Sequence, residues 1–108
     1  MAPRAPETLT HLIARLRRAV VDGRRVVPFQ ARGMSHFTHV VVVDADGRCT
    51  LRRWVLDPKK AEAFLQANGH FMPEDAEAIS EPGPEVLLEA TGLEEFIVRL
   101  KAADIVAT

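Results

Sequence analysis

Four histidines and one cysteine are the residues of this chain whose side chains could bind a metal ion or act as a nucleophile. His36 and His39 have an i, i+3 spacing, and His11 and His70 lie elsewhere in the sequence. In an extended strand, residues three apart point to opposite faces, so the rings of the first pair cannot converge on one ion. No H-E-x-x-H or paired-cysteine motif accompanies them. We therefore predict no metal site, and histidines near solvent at the end of a hairpin.

Cys49 could act as a nucleophile only beside a histidine base and an activating charge. The strand pattern instead places it opposite Val43, on the face of a predicted sheet that forms the core. A buried free cysteine behaves as a small apolar residue, and a single cysteine cannot form an internal disulfide. We predict that Cys49 is buried and unreactive.

Carboxylates are frequent in the second half of the chain, but no pattern marks them as catalytic. Acid–base catalysis by paired carboxylates needs a cleft that raises the pKa of one of them. These residues are typical of a solvated face: Glu74, Asp75, Glu77, Glu81, Glu85 and Glu89. The sequence contains no G-x-S-x-G, Walker or dinucleotide-binding motif. We therefore expect no catalytic residue, no cofactor and no enzymatic activity.

Charge is distributed unevenly along the chain. Residues 1–56 contain ten arginines and four acidic residues, a net charge of +6, whereas residues 57–108 contain four basic and eleven acidic residues, a net charge of −7. Such a split favours electrostatically steered association with a partner. It predicts a folded surface with a basic side and an acidic side. Neutralisation of one half by the other within the fold is the alternative.

The basic residues also suggest how an anionic polymer would be bound. Arg52 and Trp54 share a strand face, and a guanidinium beside an indole suits phosphate contact and base stacking. Lys59 and Lys60 occupy the first turn of a predicted helix, whose N-terminus suits phosphate. The candidate binding residues are therefore Arg24, Arg25, Arg52, Trp54, Lys59 and Lys60. In the alternative interpretation, the cations provide solubility and Trp54 belongs to the core.

Two amphipathic segments predict helices in the first two thirds of the chain. The first begins at Pro6 and ends near Asp22, because Gly23 suits a left-handed C-terminal residue. The second begins at Asp57-Pro58, an N-cap followed by a helix-start proline, and ends at Asn68-Gly69. Apolar residues at helical spacing define their buried stripes: Leu9, Leu12, Ile13, Leu16 and Val20, and then Ala61, Phe64 and Leu65.

A third helix follows Thr91-Gly92-Leu93-Glu94, which matches the capping box T-x-x-E. In that box, the Thr91 hydroxyl accepts from the Glu94 amide, and the Glu94 carboxylate accepts from the Thr91 amide. The helix should extend to about Ala103, and Ile105-Val106 could add a short terminal strand.

β-Branched residues predict a hairpin formed by Phe37–Val43 and Arg48–Leu56. The intervening Asp44-Ala45-Asp46-Gly47 is typical of a type I turn with a left-handed glycine, and the resulting register pairs Val43 with Cys49. One face of the hairpin is then apolar and the other is mixed. The predicted core face carries His39, Val41, Val43, Cys49, Leu51 and Val55, and the mixed face carries Thr38, Val40, Val42, Thr50, Arg52, Trp54 and Leu56.

Prolines accompany the two remaining strand predictions. Arg24–Arg32 contains Pro28, which cannot donate a ladder hydrogen bond and so indicates an edge strand or a bend. Glu81-Pro82-Gly83-Pro84 is typical of a break in regular structure, with a strand over Glu85–Ala90 after it. Residues 75–80 fit either a short strand or a helical turn.

The resulting order, α-β-β-β-α-(β)-β-α, predicts an α+β protein with helices on one face of a mainly antiparallel sheet. A chain of 108 residues fits one domain, here residues 6–108 after a loose tail over residues 1–5. The longest strictly apolar run, Val40–Val43, is far shorter than the ~20 residues that span a bilayer. We therefore expect no membrane association and a cytoplasmic location.

Over residues 6–68, the order helix, three antiparallel strands, helix resembles that of a double-stranded-RNA-binding domain. That family opens its second helix with K-K-x-A-K, and this chain has Lys59-Lys60-Ala61-Glu62-Ala63. Glu62 and Phe64 depart from the family pattern, and the glycine-proline-histidine loop of the family has only Gly33-Met34-Ser35-His36 as a counterpart. The resemblance implies RNA binding through the basic half.

Two functional hypotheses follow from the sequence. The first is a small, soluble, non-catalytic regulatory or accessory protein that binds another protein or associates with itself. It is based on the bipolar charge and on a sequence without catalytic, cofactor or metal motifs. The alternative is nucleic-acid binding, RNA included, through the basic N-terminal half. Salt dependence separates them, because phosphate contacts release counterions on binding.

Overall fold

The computed structural model describes residues 8–34, 37–70, 75 and 78–106, and it has the predicted α+β architecture. Its helices and strands are α1 Leu9–Val21, β1 Val26–Phe29, β2 His39–Val43, β3 Cys49–Leu56, α2 Pro58–Asn68, β4 Ser80–Ala90 and α3 Leu93–Ala103. The strands form one antiparallel sheet in which the spatial order is the chain order, β1-β2-β3-β4. The predicted tail over residues 1–5 lies outside the described residues, as does His36.

The core lies between one face of this sheet and the helices α1 and α3. Side chains alternate between the two faces of a strand, so every strand contributes alternate residues to it. The buried cluster consists of Leu12, Leu16, Ala19, Val27, Phe29, Val41, Val43, Cys49, Leu51, Ala90, Phe96, Leu100 and Val106. No helix within the described ranges is long and apolar enough to cross a membrane.

The segment after α3 fills the core and does not form the predicted terminal strand. Val106 is almost fully buried, with 2% of its surface exposed. The amide of Arg32 donates to the carbonyl of Ile105 at 2.8 Å, which fixes the backbone beside it. Val106 therefore belongs to the core cluster, and Ile105 packs against it.

The β2–β3 hairpin confirms the predicted register, with Val43 opposite Cys49. The Asp44 carboxylate accepts hydrogen bonds from two backbone amides of the turn, and the one from Arg48 measures 2.9 Å. Gly47 has a φ of +85°, a conformation that glycine adopts without steric cost. The turn chemistry therefore sets which face of the hairpin enters the core.

Both outer strands of the sheet contain prolines. Pro28 lies in β1, which is an edge strand as its proline indicated. The predicted break at Glu81–Pro84 is wrong, because β4 runs through Pro82-Gly83-Pro84 and begins at Ser80. An edge strand tolerates proline since one side of it has no partner strand, and the pairing with β3 shifts register here. Prolines at both edges also oppose the pairing of one sheet with another.

The second helix confirms its predicted ends. The Asp57 carboxylate accepts from the Lys59 amide at 3.0 Å, Pro58 is the first helical residue, and Gly69 ends α2 with a φ of +82°. Its buried stripe is narrower than predicted: Ala61 is buried, whereas Leu65 is 40% exposed.

The first helix begins later than predicted. It starts at Leu9, where the Thr8 hydroxyl accepts from the His11 amide at 3.2 Å, and Pro6 lies outside the described residues. The predicted end beside Asp22 and Gly23 is confirmed, since Asp22 is the C-terminal cap.

The predicted capping box of the third helix is wrong by one position. Gly92 is the N-cap of α3, and the Thr91 hydroxyl and amide donate to the Glu95 carboxylate at 2.9 and 3.3 Å. These hydrogen bonds lower the pKa of Glu95, with the positive charge of Arg99 contributing less. The carboxylate of Glu94, which the motif assigned to the cap, binds a guanidinium of α1 instead.

Candidate binding groove

The fold joins the basic half of the chain to the acidic half through ion pairs between opposite charges. Each pair is solvent-exposed and so contributes little to stability, but together they neutralise part of the excess charge of both halves. At these contacts, acidic side chains from the second half of the chain therefore neutralise arginines of the first half. The pairs are Arg17–Glu94 at 3.0 Å, Arg32–Asp104 at 2.5 Å and Arg48–Glu89 at 2.6 Å.

Other arginines of the basic half meet at a groove between α1 and β1. We call it the α1–β1 groove and define it by Arg15, Arg18, Asp22, Arg24, Val26 and Phe37. Its volume is about 290 Å³. Among the residues that the structure describes, three arginines and one aspartate line it, so this part of the lining has an excess of positive charge.

Arg15 is held in place at the inner side of this groove. Its Nη2 donates to the carbonyl of Pro28 at 2.8 Å, and its guanidinium carbon lies 5.7 Å from the centroid of the Phe37 ring. The second contact is a cation–π interaction. Arg15 therefore covers the one backbone acceptor that Pro28 would present along the edge of β1.

Arg18 and Arg24 are more exposed than Arg15. The Arg18 side chain is 85% exposed, and its Nε lies 3.7 Å from the Asp22 carboxylate. The backbone of Arg24 is fixed by a hydrogen bond from its amide to the carbonyl of Ala19 at 2.8 Å. Cations are stabilised at the C-terminal end of a helix, so the end of α1 is a favourable place for both guanidinium groups.

The six candidate residues named from the sequence do not form one patch. Arg25 directly precedes β1, and its carbonyl accepts a hydrogen bond from the amide of Val43, so it lies level with Cys49 at one end of β3. Lys59 and Lys60 follow the other end of β3, seven residues further along the strand axis, or roughly 23 Å at the usual rise. Arg24 and Arg25 are therefore separated from the lysine pair by the length of the sheet.

Arg52 lies on the mixed face of the sheet, and its guanidinium is engaged within the protein. Its Nη1 donates to the carbonyls of Gly83 and Pro84 at 3.2 and 3.4 Å, and its Nε donates to the Thr50 hydroxyl at 3.2 Å. Trp54 on the same face is half-buried, and its indole nitrogen is buried without a hydrogen-bond partner in the part of the chain that the structure describes. The hydrogen bonds of Arg52 and the partial burial of Trp54 favour a structural role for both residues.

Cys49 is fully buried, as predicted. Burial, and to a smaller extent the negative charge of Asp44, raises the pKa of its thiol. The thiolate form that would react is therefore disfavoured at neutral pH.

His39 is more buried than expected for a histidine near solvent. Its ring stacks on Phe29 with 5.5 Å between centroids, and its Nδ1 lies 2.8 Å from the Thr38 hydroxyl. Burial, followed by the positive charge of Arg53, lowers the pKa of His39. Within the described ranges, no group of three or more potential metal ligands occurs.

Comparison of the chain with models of known families, with curated proteins and with solved structures found no match. The resemblance to double-stranded-RNA-binding domains thus depends on the order of elements and on the lysine pair. One of those lysines is already engaged, since the Lys60 ammonium donates to the Ser80 carbonyl at 3.3 Å.

Proposed function

We propose that this protein is a non-catalytic regulatory or accessory protein, and that the α1–β1 groove is the surface that receives its macromolecular partner. The supporting observation is the convergence of Arg15, Arg18 and Arg24 on one groove, where Asp22 is the one acidic residue among the described lining residues. Opposite charge across an interface steers association and suppresses wrong partners. A partner segment with carboxylates therefore fits this groove.

Apolar surface in the groove supports a protein partner. Val26, which lines the groove, is 41% exposed. Buried apolar contact supplies the free energy of association that exposed charge pairs do not. A partner that covers this valine would gain affinity as well as orientation.

Nucleic-acid binding is the second candidate, and the overall composition favours it less. The whole chain has a net charge of −1 and an isoelectric point near 6.4, whereas nucleic-acid-binding domains are typically strongly basic. Base stacking also needs exposed aromatic rings. Among the described residues every phenylalanine and the tryptophan are buried or half-buried.

A free buried cysteine fits a reducing compartment, and the proposal places the protein in the cytoplasm.

Charge reversal in the groove tests this function. We would compare capture of proteins from a lysate by the Arg18→Glu/Arg24→Glu variant and by the unchanged protein, before and after nuclease treatment. The matched control is Arg53→Glu/Lys101→Glu, because both residues are exposed and neither forms an ion pair with a residue that the structure describes.

We expect the groove variant to lose captured proteins that the control variant and the nuclease-treated sample retain. Equal capture by both variants would contradict the proposed surface. Loss of capture after nuclease treatment would favour the nucleic-acid candidate. Circular dichroism of each variant establishes that it is folded.

A further inference from the structure

The edge of β1 presents one backbone position that has no hydrogen-bond partner among the described residues. Antiparallel pairing alternates between residues that bond to the partner strand and residues whose N–H and C=O point away from it. The amide of Val43 donates to the carbonyl of Arg25, so Val26, the next residue, directs its N–H and C=O away from β2. Val26 is opposite Val42 in the register and lines the groove.

Strand addition beyond Val26 is blocked. The next outward-facing residue of β1 is Pro28, which has no amide hydrogen. Its carbonyl already accepts from Arg15 at 2.8 Å. A partner backbone that lies along this edge can therefore form one pair of hydrogen bonds and no more.

The two faces of the sheet determine which side chains such a partner would carry. The Val26 side chain lies on the face opposite that of Val27, which is buried in the core beneath α1. A residue paired with Val26 places its side chain on the Val26 face, in contact range of an exposed valine. Its two neighbours point to the face that α1 covers. Arg18 on α1 and Arg24, between α1 and β1, are the two exposed arginines that line the groove.

We propose that the α1–β1 groove binds an extended peptide segment of another protein with the order acidic–apolar–acidic. The central residue forms two main-chain hydrogen bonds with Val26 and covers its side chain. The flanking carboxylates bind the guanidinium groups of Arg18 and Arg24, a pairing that arginine favours through two parallel hydrogen bonds. This inference rests on the proposed function and specifies its partner.

A short synthetic peptide provides a direct test. The probe is acetyl-Ser-Glu-Val-Glu-Ser-amide, titrated into the ¹⁵N-labelled protein while amide resonances are followed by NMR. Two peptide controls accompany it: the same sequence with an N-methylated valine, which cannot donate to the Val26 carbonyl, and Ser-Lys-Val-Lys-Ser, which reverses the charge. Both leave the protein itself unchanged.

We expect the probe to shift the amide resonances of Val26 and Arg24. N-methylation should weaken binding about tenfold, the effect of one lost hydrogen bond, and the lysine peptide should not bind at the groove. Replacement of both arginines, Arg18→Gln/Arg24→Gln, should weaken binding of the probe peptide, whereas Arg53→Gln should leave its affinity unchanged.

The outcomes separate this inference from the proposed function. If the N-methylated peptide binds as well as the probe, the strand-pairing inference is overturned, and the groove remains an acceptor of acidic side chains. If no peptide shifts the amide resonances of the groove residues, although charge reversal abolishes capture of a protein partner, the inference is wrong and the proposed function stands. If an RNA duplex of about 16 bp shifts these resonances at ~50 mM salt and the peptides do not, the occupant is a nucleic acid.

Discussion

Replacing Arg52 with methionine should destabilise the protein, because the Arg52 guanidinium joins β3 to the irregular part of β4. It donates to the Gly83 and Pro84 carbonyls at 3.2 and 3.4 Å and to the Thr50 hydroxyl at 3.2 Å. A hydrogen bond from a charged group contributes about 1.5–3 kcal/mol, but these distances exceed the roughly 2.7–2.9 Å of the strongest ones. Partial exposure of Arg52 reduces the contribution further. For the three hydrogen bonds together, we therefore expect the free energy of unfolding to fall by about 1–2 kcal/mol.

Thermal and urea unfolding followed by circular dichroism measure this loss. For a chain of this size, it corresponds to a decrease in Tm of roughly 4–8 °C. The matched control is Arg53→Met, since Arg53 is the next residue, is exposed, and forms no ion pair within the described ranges. Its free energy of unfolding should stay within about 0.5 kcal/mol. Equal stability of the two variants would refute the bridging role and return Arg52 to the candidate binding residues.

Three further predictions concern Cys49 in the core, the half-buried His39 and the start of α3. Cys49 should react with a thiol reagent only after denaturation, and labelling of the native protein at the rate of an exposed thiol would contradict its burial. The fold lowers the pKa of His39 below 6.5, so the unfolded state binds a proton at this imidazole more readily than the folded state does. The free energy of unfolding should therefore fall as the pH drops through 6.5. Urea unfolding at about pH 7.5 and 5.5 should show this loss, and the variant His39→Phe should show a smaller one. Thr91→Ala should raise the pKa of Glu95 toward its ordinary value while Thr91→Ser preserves the hydroxyl donor, as followed by NMR titration; an unchanged pKa in the alanine variant would exclude that hydrogen bond.

Local chemistry in the sequence predicted the parts of the fold that depend on neighbouring residues. The register of the β2–β3 hairpin follows from a turn that Asp44 and Gly47 determine by themselves. The ends of α2 follow in the same way from Asp57 and Gly69. In each case the residues that make the decisive contact are within a few positions of one another.

The predictions of the α3 cap and of a break in β4 are wrong because residues far apart in the sequence determine these structures. The carboxylate of Glu94 binds Arg17 on α1, and Glu95 takes its place near Thr91, so a contact between helices changed the cap. The prolines of β4 are compatible with a strand only because that strand is at the edge, and its position in the sheet is not encoded locally.

The candidate site shows the same limit. Arg24 was named from the sequence as a candidate binding residue, whereas Arg15 and Arg18 were not. Their convergence with Val26 requires α1 to pack beside β1, which no spacing along the chain expresses. An arginine-bearing helix directly followed by a proline-containing strand is the sequence signal that could have indicated the groove.

The position of α3 has a consequence for protein synthesis. The sheet grows in chain order, but Phe96, Leu100 and Val106 complete its core from the last part of the chain. A ribosome that has released residues 1–79 has therefore produced the arginine-rich half with an apolar face that α1 covers and α3 does not yet cover. At about 5–20 residues per second, residues 80–108 follow after roughly 1.5–6 s. During that interval the nascent chain depends on the translation machinery, and on any chaperone bound to it, to keep this face from aggregation.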